Sequence, residues 1–369
     1  MQIKQHTPKI KICLVNLSLG KGGSERSTAL LSQILYDLGV DVHLIILTNE
    51  ISYPYKGKLL NLGVFKTEKD NLWKKIGRFK KFKAYIKKEK FDFIIDNRPK
   101  NNALRELYYL LYLYKKQNII NVVRSCFIDN YIPSSSKTVQ QIIFKRTKCF
   151  VGVSEEITNK IKERYKIDNV VTIYNPIDEV NITNNDILNK TERYIVFLGR
   201  IDDNVKNITL LLNAYKKSRV PLAGIKLKII GSGPDETIIA KKIQTLGLSE
   251  HIIRIDFTPN VEEYLSQALF LVLTSRYEGF PRALIESLSI GTPVVSVNCS
   301  SGPAEIIQNE INGLLVENNN IYALTEAMNR MVDDDVLYNR CKTNAQSSVQ
   351  KFSKKIIAEK WEKLIKELT

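Results

Sequence analysis

Residues 269–297, LFLVLTSRYEGFPRALIESLSIGTPVVSV, decide the fold class. The apolar run ending at Ser275 reads as a buried strand, and PVVSV reads as a second. Between them, the turn RYEGF leads into a segment where Ala283, Leu284, Ile285 and Leu288 recur at helical spacing. Pro281 suits the first helical position because it has no N–H to lose. Strand, helix, strand, with both strands apolar throughout, is a βαβ unit of a parallel sheet covered on both faces. The same stretch poses a question. Glu286 lies in the middle of the apolar helix, where an unpaired carboxylate costs several kcal/mol or shifts its pKa.

The pattern repeats outward in both directions. KICLVNLSL, DVHLIIL, FDFIID, NIINVV and CFVGVS precede it, then YIVFLG and KLKIIG, all alternating with helical segments. The series breaks at IYNPIDEVNITNNDILNKTERY, residues 173–194, rich in Asn, Asp and Thr and without a clear period. The expected organisation is α/β: two doubly wound, Rossmann-like domains, 1–174 and 175–351, with a linker near Asn175 to Asp178. Residues 352–369 follow as a helix marked by Phe352, Ile356, Ile357, Trp361, Leu364 and Leu368. A chain of 369 residues suits two cores rather than one.

Composition excludes several classes. At 44% hydrophobic and 25% charged, the chain is neither disordered nor fibrous. Its five cysteines are scattered without C-x-x-C spacing, so neither a disulfide framework nor a zinc site is indicated, and a reducing cytoplasm is expected. The opening apolar run is too short for a signal peptide, and no run reaches about eighteen apolar residues, so neither export nor spanning is expected. The net charge of +16 is uneven: residues 1–174 hold 32 Lys+Arg against 15 Asp+Glu, and the remainder 23 against 24. An anionic partner is expected on the first half: membrane surface, nucleic acid or a phosphorylated acceptor.

Ligands of such sheets sit beyond the carboxyl ends of the strands. Four stretches stand there. LGKGGSER offers Gly22 and Gly23 at a helix start, either an anion site or a turn capped by Ser24. In FLGRIDDNVKN, Arg200 and Lys206 either clamp a diphosphate or form a salt-bridged loop with Asp202 and Asp203. KIIGSGP places Gly231 and Gly233 after a strand, for a turn or a close backbone approach. In RYEGFPRALIES, the helix start near Gly279 suits a phosphate and Glu278 a sugar hydroxyl. Glu286 either accepts from the two hydroxyls of a ribose or pairs with Arg282.

In this order, GGSER, NPID, GRIDDNVKN, GSGPDE, SRYEGFPRALIES and GTPVVSVNCSSGPAEII resemble the family-four retaining glycosyltransferases of the GT-B fold. The specific part is the E-x7-E spacing of Glu278 and Glu286 followed by G-T-P-V-V, and the resemblance spans nearly the whole chain. It implies a nucleotide-sugar transferase with two domains facing across a cleft that holds the active site, and a last helix returning to the first domain. By that likeness Arg200 and Lys206 hold the diphosphate, Glu286 the ribose and Glu278 the donor sugar. Gly279, Phe280 and Pro281 supply backbone contacts. The base lies near Ile255 to Phe257, against the loop after GSGP, the stretch that begins at Gly231, and Gly22 and Gly23 approach the phosphate and the acceptor side. Glu286 would then be paired only when a ligand is bound.

Many such enzymes carry a His near the donor sugar in the first domain. Here the three are His6 in the tail, His43 in the second strand and His251 in the other domain. VVRSCF, with Arg124 and Ser125, stands at the corresponding place, so no enzymatic base is expected there. The departing diphosphate takes the acceptor proton, and stabilising that leaving group is the main catalytic effect. No metal and no cofactor beyond the UDP-sugar donor are expected. The DDD at 333–335 reads as solvated.

Residues 56–90 carry 13 Lys+Arg and three acids, interleaved with Leu72, Trp73, Ile76, Phe79, Phe82 and Ile86 on one helical face. A basic amphipathic helix of this kind suits an anionic bilayer, or else packs on the sheet with a solvated back. No aromatic platform accompanies it, so nucleic acid is not expected. ALRELYYLLYLYKK, apolar nearly all round, reads as core. The resulting expectation is a peripheral enzyme on the inner face of the cytoplasmic membrane. It would move a hexose or N-acetylhexosamine to a polyprenyl-diphosphate-linked glycan; the alternative is a soluble transferase acting on protein or a small molecule. A nucleotide-sugar epimerase is disfavoured by the missing His.

Overall fold

The computed structural model describes residues 9–67, 70–100, 102–133, 136–177 and 192–369. His6, Asp178 and the rest of the 178–191 stretch lie outside them. Contacts divide the chain into two units, Met1–Pro176 with Ile357–Thr369, and Ile177–Ile356.

In the first unit the strands are β1 Lys11–Asn16, β2 Asp41–Ile46, β3 Lys58–Asn61, β4 Phe93–Asp96, β5 Asn118–Val123, β6 Thr147–Gly152 and β7 Val170–Thr172. They form one parallel sheet in the order β3-β2-β1-β4-β5-β6-β7. The second unit holds β8 Tyr194–Leu198, β9 Lys226–Ile230, β10 Ile252–Ile255, β11 Leu271–Leu273, β12 Val294–Asn298 and β13 Gly313–Glu317. Their order is β10-β9-β8-β11-β12-β13, again parallel. The central strands are buried on both faces because helices cover both sides, which is why they read as unbroken apolar runs. In each sheet the order reverses once, between β1 and β4 and between β8 and β11. These are the switch points where open α/β sheets leave a crevice beyond the carboxyl ends.

Three local expectations need correction. The helix α1, Gly23–Asp37, starts at the second glycine with Gly22 as cap residue, so Ser24 is inside it rather than capping it. Pro281 likewise precedes the helix Arg282–Ser289 as its cap residue. ALRELYYLLYLYKK is not a buried core helix. Helix α3, Ala103–Tyr108, passes into a π-helical segment Tyr109–Leu113, with Tyr109, Leu110 and Leu113 buried and Leu104, Tyr108, Leu111 and Tyr112 exposed. The last helix, Lys354–Leu368, belongs to the first unit from Ile357 onward and buries Ile357, Trp361, Leu364 and Ile365.

Candidate active site

The second unit's switch point is built by the segments that follow β8 and β11. After β8 the chain passes through Gly199 and Arg200 into a short helix Asp203–Lys206, and Lys206, its last residue, stands just before the helix Ile208–Lys217, as expected. The Lys206 carbonyl accepts from Thr274 Oγ1 at 2.9 Å, and the Arg276 N–H donates to the Val205 carbonyl at 2.9 Å. The two loops are thereby stitched together. Their side chains meet: Lys206 Nζ lies 2.6 Å from Glu278 Oε1, which also accepts from Ser275 Oγ at 2.6 Å. The Arg200 guanidinium is largely exposed and pairs with Asp202. Both cations expected to hold a diphosphate therefore stand at the switch point, and both are engaged by carboxylates.

Glu286 is not waiting for a ligand. Arg282, one turn back on the same helix, donates from Nε to Glu286 Oε1 at 3.0 Å, and its Nη2 lies 2.9 Å from the same oxygen. Both side chains are nearly buried, so the pairing expected only on ligand binding already exists within the helix. The apolar residues around Glu286 bury one flank while Arg282 supplies the counter-charge.

The neighbouring backbone is closely fitted. Gly231 has φ of +138°, and a Cβ there would collide with the Gly199 carbonyl, so the turn after β9 passes against the turn after β8 only as glycine. The Phe257 N–H, just past β10, donates to Ser232 Oγ at 3.1 Å. The Gly279 carbonyl accepts from Ser301 Oγ at 2.7 Å, while the Phe280 ring turns inward onto Phe352, with centroids 5.0 Å apart. The residues expected at the donor site in the second unit thus lie at or beyond the carboxyl ends of β8, β9, β10 and β11, whereas Gly22 and Gly23, also expected to approach the phosphate, belong to the first unit.

In the first unit, Gly22 and Gly23 follow β1, and the Gly22 carbonyl accepts from the Arg26 N–H at 3.0 Å. Glu25, in the first turn of α1, folds its carboxylate back over Gly22. Burial pushes its pKa above the usual carboxylate range, Arg124 opposes the shift and Glu50 adds to it. Arg124, directly after β5, donates to Asn97 Oδ1 at 2.8 Å and to Asn175 Oδ1 at 2.6 Å. Asn97 follows β4, so the residues after β1, β4 and β5 gather at this switch point also. Glu25 stands inside GGSER, where the glycines carry the visible pattern. Its signal is an acid two residues past the second glycine, placed to return over the turn.

His43, in β2, is buried, its Nδ1 2.7 Å from the Tyr85 hydroxyl, and burial lowers its pKa. Asp334 of the DDD run caps a helix by accepting from the Leu337 N–H at 2.9 Å, and Asp333 pairs with Arg219. Among the described residues no group of three or more His, Cys, Asp or Glu is placed to hold a metal ion. No helix among them is long and apolar enough to cross a membrane.

The model for Glycosyltransferase Family 4 matches residues 21–180, and that for Glycosyl transferases group 1 matches residues 179–348. The N-acetylgalactosamine-N,N'-diacetylbacillosaminyl-diphospho-undecaprenol 4-alpha-N-acetylgalactosaminyltransferase of Campylobacter jejuni is 28% identical, covering 94% of this chain and 97% of that one. The amylovoran biosynthesis glycosyltransferase AmsD of Erwinia amylovora is 24% identical over 97% of this chain and 99% of that one. Among solved structures, a mutant of S. aureus TarM, in complex with Fondaparinux, alpha-GlcNAc-glycerol and UDP, superposes with a TM-score of 0.76 at 17% identity. It covers 97% of this chain and 99% of that one.

Proposed function

Because the chain belongs to the family-four glycosyltransferases, whose fold is GT-B, we propose that it moves a hexose or N-acetylhexosamine from a UDP-sugar to a polyprenyl-diphosphate-linked glycan, with retention at the anomeric carbon. The observation that carries this reading is the meeting of Lys206 and Glu278 at the second unit's switch point. It occurs in a chain whose end-to-end relative is named for a diphospho-undecaprenol substrate.

The second unit binds the donor. Arg200 and Lys206 exchange their carboxylates for the diphosphate, Arg as a fork and Lys as a point charge, and stabilise the negative charge that develops as the sugar departs. Glu278, released from Lys206, accepts from sugar hydroxyls. Glu286 accepts from the ribose while Arg282 keeps its charge balanced. The turns at Gly231 and Phe257 bound the base, and the amides around Gly279 and Pro281 face phosphate. The first unit takes the acceptor, with Gly22, Gly23, Glu25 and Arg124 on that side. No metal enters the reaction. The basic excess of the first unit holds the enzyme on the anionic inner face of the cytoplasmic membrane, where a lipid-linked acceptor resides.

The test is to incubate the protein, in buffer with chelator, with a panel of UDP-sugars and a polyprenyl-diphosphate glycan. Product mass identifies the donor, and proton coupling at the new linkage reports its anomeric configuration. An axial, α product from an α-linked donor is expected. Transfer only to acceptors without a lipid diphosphate, an inverted product, or Mg²⁺-dependent activity would each contradict the corresponding part of the reading.

A further inference from the structure

The run Asn318, Asn319, Asn320 joins β13 to the helix Ile321–Asp333, and no role at the donor site has been given to it. Asn320 caps that helix, accepting from the Ala323 N–H at 3.0 Å. The other two asparagines reach Arg276, which follows β11. Asn318 Nδ2 donates to the Arg276 carbonyl at 3.3 Å, and Asn319 Oδ1 accepts from Arg276 Nη1 at 3.1 Å. Arg276 Nη2 donates to Asn207 Oδ1 at 2.8 Å, and Asn207 Nδ2 donates to Asn319 Oδ1 at 3.1 Å. Three side chains, from the segments after β8, β11 and β13, thus close a triangle beside Lys206. Arg200, Lys206 and Arg282 meet carboxylates, whereas both Nη atoms of Arg276 are held by amide oxygens.

Asn207 has φ of +50°, in the left-handed region that glycine enters at no steric cost. Asparagine also tolerates that region, and unlike glycine it brings an amide. Here both ends of the amide are engaged and the residue is buried. The grip extends along the backbone on either side. The Val205 carbonyl accepts from the Arg276 N–H at 2.9 Å, and the Lys206 carbonyl accepts from Thr274 Oγ1 at 2.9 Å. Val205, Lys206 and Asn207 are therefore each held, in succession, by Arg276 or Thr274. A lysine carries its charge on a flexible four-carbon stem, so the place of its ammonium is restricted first by the backbone from which the stem starts.

We propose that Arg276, with Asn207 and Asn319, is a positioning clamp for Lys206, fixing the peptide segment from which the lysine reaches the donor's diphosphate. Arg276 acts through Lys206 and does not itself touch the nucleotide. The inference rests on the donor reading above and adds three residues that set how well Lys206 performs in it. Loss of Arg276 leaves the buried Asn207 amide short of a partner and frees the short helix Asp203–Lys206 at its end, where the lysine stands.

The experiment is a double-mutant cycle on the full chain, read by calorimetric titration with UDP. Arg276→Ala should weaken UDP binding about tenfold in the otherwise wild-type chain and less than about twofold in a Lys206→Ala chain, the non-additivity expected of residues that act as one. Asn207→Gly keeps the left-handed backbone and removes the amide, so its melting temperature should stay close to wild type while UDP affinity falls as in Arg276→Ala. Hydrogen exchange without nucleotide supplies the second readout. The amides of residues 205–207, which donate to the carbonyls of Asp202 and Asp203, should exchange faster in both variants while β8 and β11 keep their protection. Equal loss of UDP affinity in the two backgrounds would mean that Arg276 meets the nucleotide itself or merely stabilises the unit, and would overturn the proposal. Unchanged exchange at 205–207, or faster exchange spread across the whole second unit, would overturn it as well. A wild-type chain that fails to bind UDP would contradict the donor reading instead, and the exchange readout would then decide the clamp by itself.

Discussion

The two switch points answer the same topological opportunity with different electrostatics. In the second unit, opposite charges are already paired: Lys206 with Glu278, Arg282 with Glu286, Arg200 with Asp202. In the first, the Arg124 guanidinium is aimed by the amide oxygens of Asn97 and Asn175, and the nearby Glu25 is held with a raised pKa chiefly by burial. Paired charges suit a site that must be stable when empty and exchange partners when a diphosphate arrives. A burial-strained acid beside a neutrally held cation is the arrangement expected where function outranks stability. The difference teaches that the acid expected to be strained, Glu286, is the satisfied one, and that the strain resides in the other unit.

Breaking the second unit's pairs should have the largest consequence. Lys206→Ala removes a cation proposed to hold the diphosphate and should lower turnover by roughly 10²–10³-fold, as loss of a single oxyanion donor does. Arg200→Lys should recover little of the activity lost in Arg200→Ala, because a point charge does not reproduce a fork. Rates measured at saturating donor with each variant check both; a Lys206→Ala enzyme within a few fold of wild type would remove Lys206 from the chemistry.

The next effect concerns stability. Arg282→Ala leaves Glu286 nearly buried without its counter-charge, a loss of ~3–5 kcal/mol by analogy with broken buried pairs. Arg282→Met with Glu286→Gln together should restore much of it while nucleotide affinity stays low. Denaturant unfolding of the two variants separates the structural role of the pair from the role proposed for Glu286 toward ribose.

The smallest effect is expected in the first unit, and its sign is opposite. Glu25 has a folded pKa above its ordinary value, so in that window the unfolded chain holds fewer protons than the folded one, and stability falls as pH rises through it. Glu25→Gln should therefore melt higher than wild type near about pH 7 and equal to it in acid, below the ordinary carboxylate pKa. Thermal scans across pH decide this. A variant less stable than wild type at neutral pH would show that the carboxylate is a structural ion and not a strained one.

Much of this architecture was legible before any coordinates, for a reason visible in the strand orders. The nine strands read from sequence are the nine interior ones; β3, β7, β10 and β13, the four overlooked, are the four edges. Interior parallel strands are buried on both faces and must be apolar throughout. Edge strands such as KLLN and IIRI mix in polar residues and are short, so no periodicity marks them. The site followed the same logic. Strand ends can be counted along the sequence, and Lys206, Glu278 and Gly231 stand shortly after them. Partners one helical turn away, such as Arg282 for Glu286, were visible only as an alternative, since spacing permits a pair without requiring it. The outward turn of Leu104, Tyr108, Leu111 and Tyr112 was not legible at all, because a segment apolar on every side carries no signal for which side meets solvent.

The central claim, that the second unit exchanges internal ion pairs for a nucleotide sugar, is tested most directly by calorimetric titration of Glu278→Ala with UDP and with the intact UDP-sugar. Removing Glu278 frees Lys206 from its 2.6 Å contact and leaves it for the diphosphate. The variant should bind UDP at least as tightly as wild type, yet lose the additional affinity contributed by the sugar and most of its turnover. A fall of about tenfold or more in UDP affinity, some 1.4 kcal/mol, would mean that Glu278 supports Lys206 rather than competing with the diphosphate for it, and would contradict the exchange.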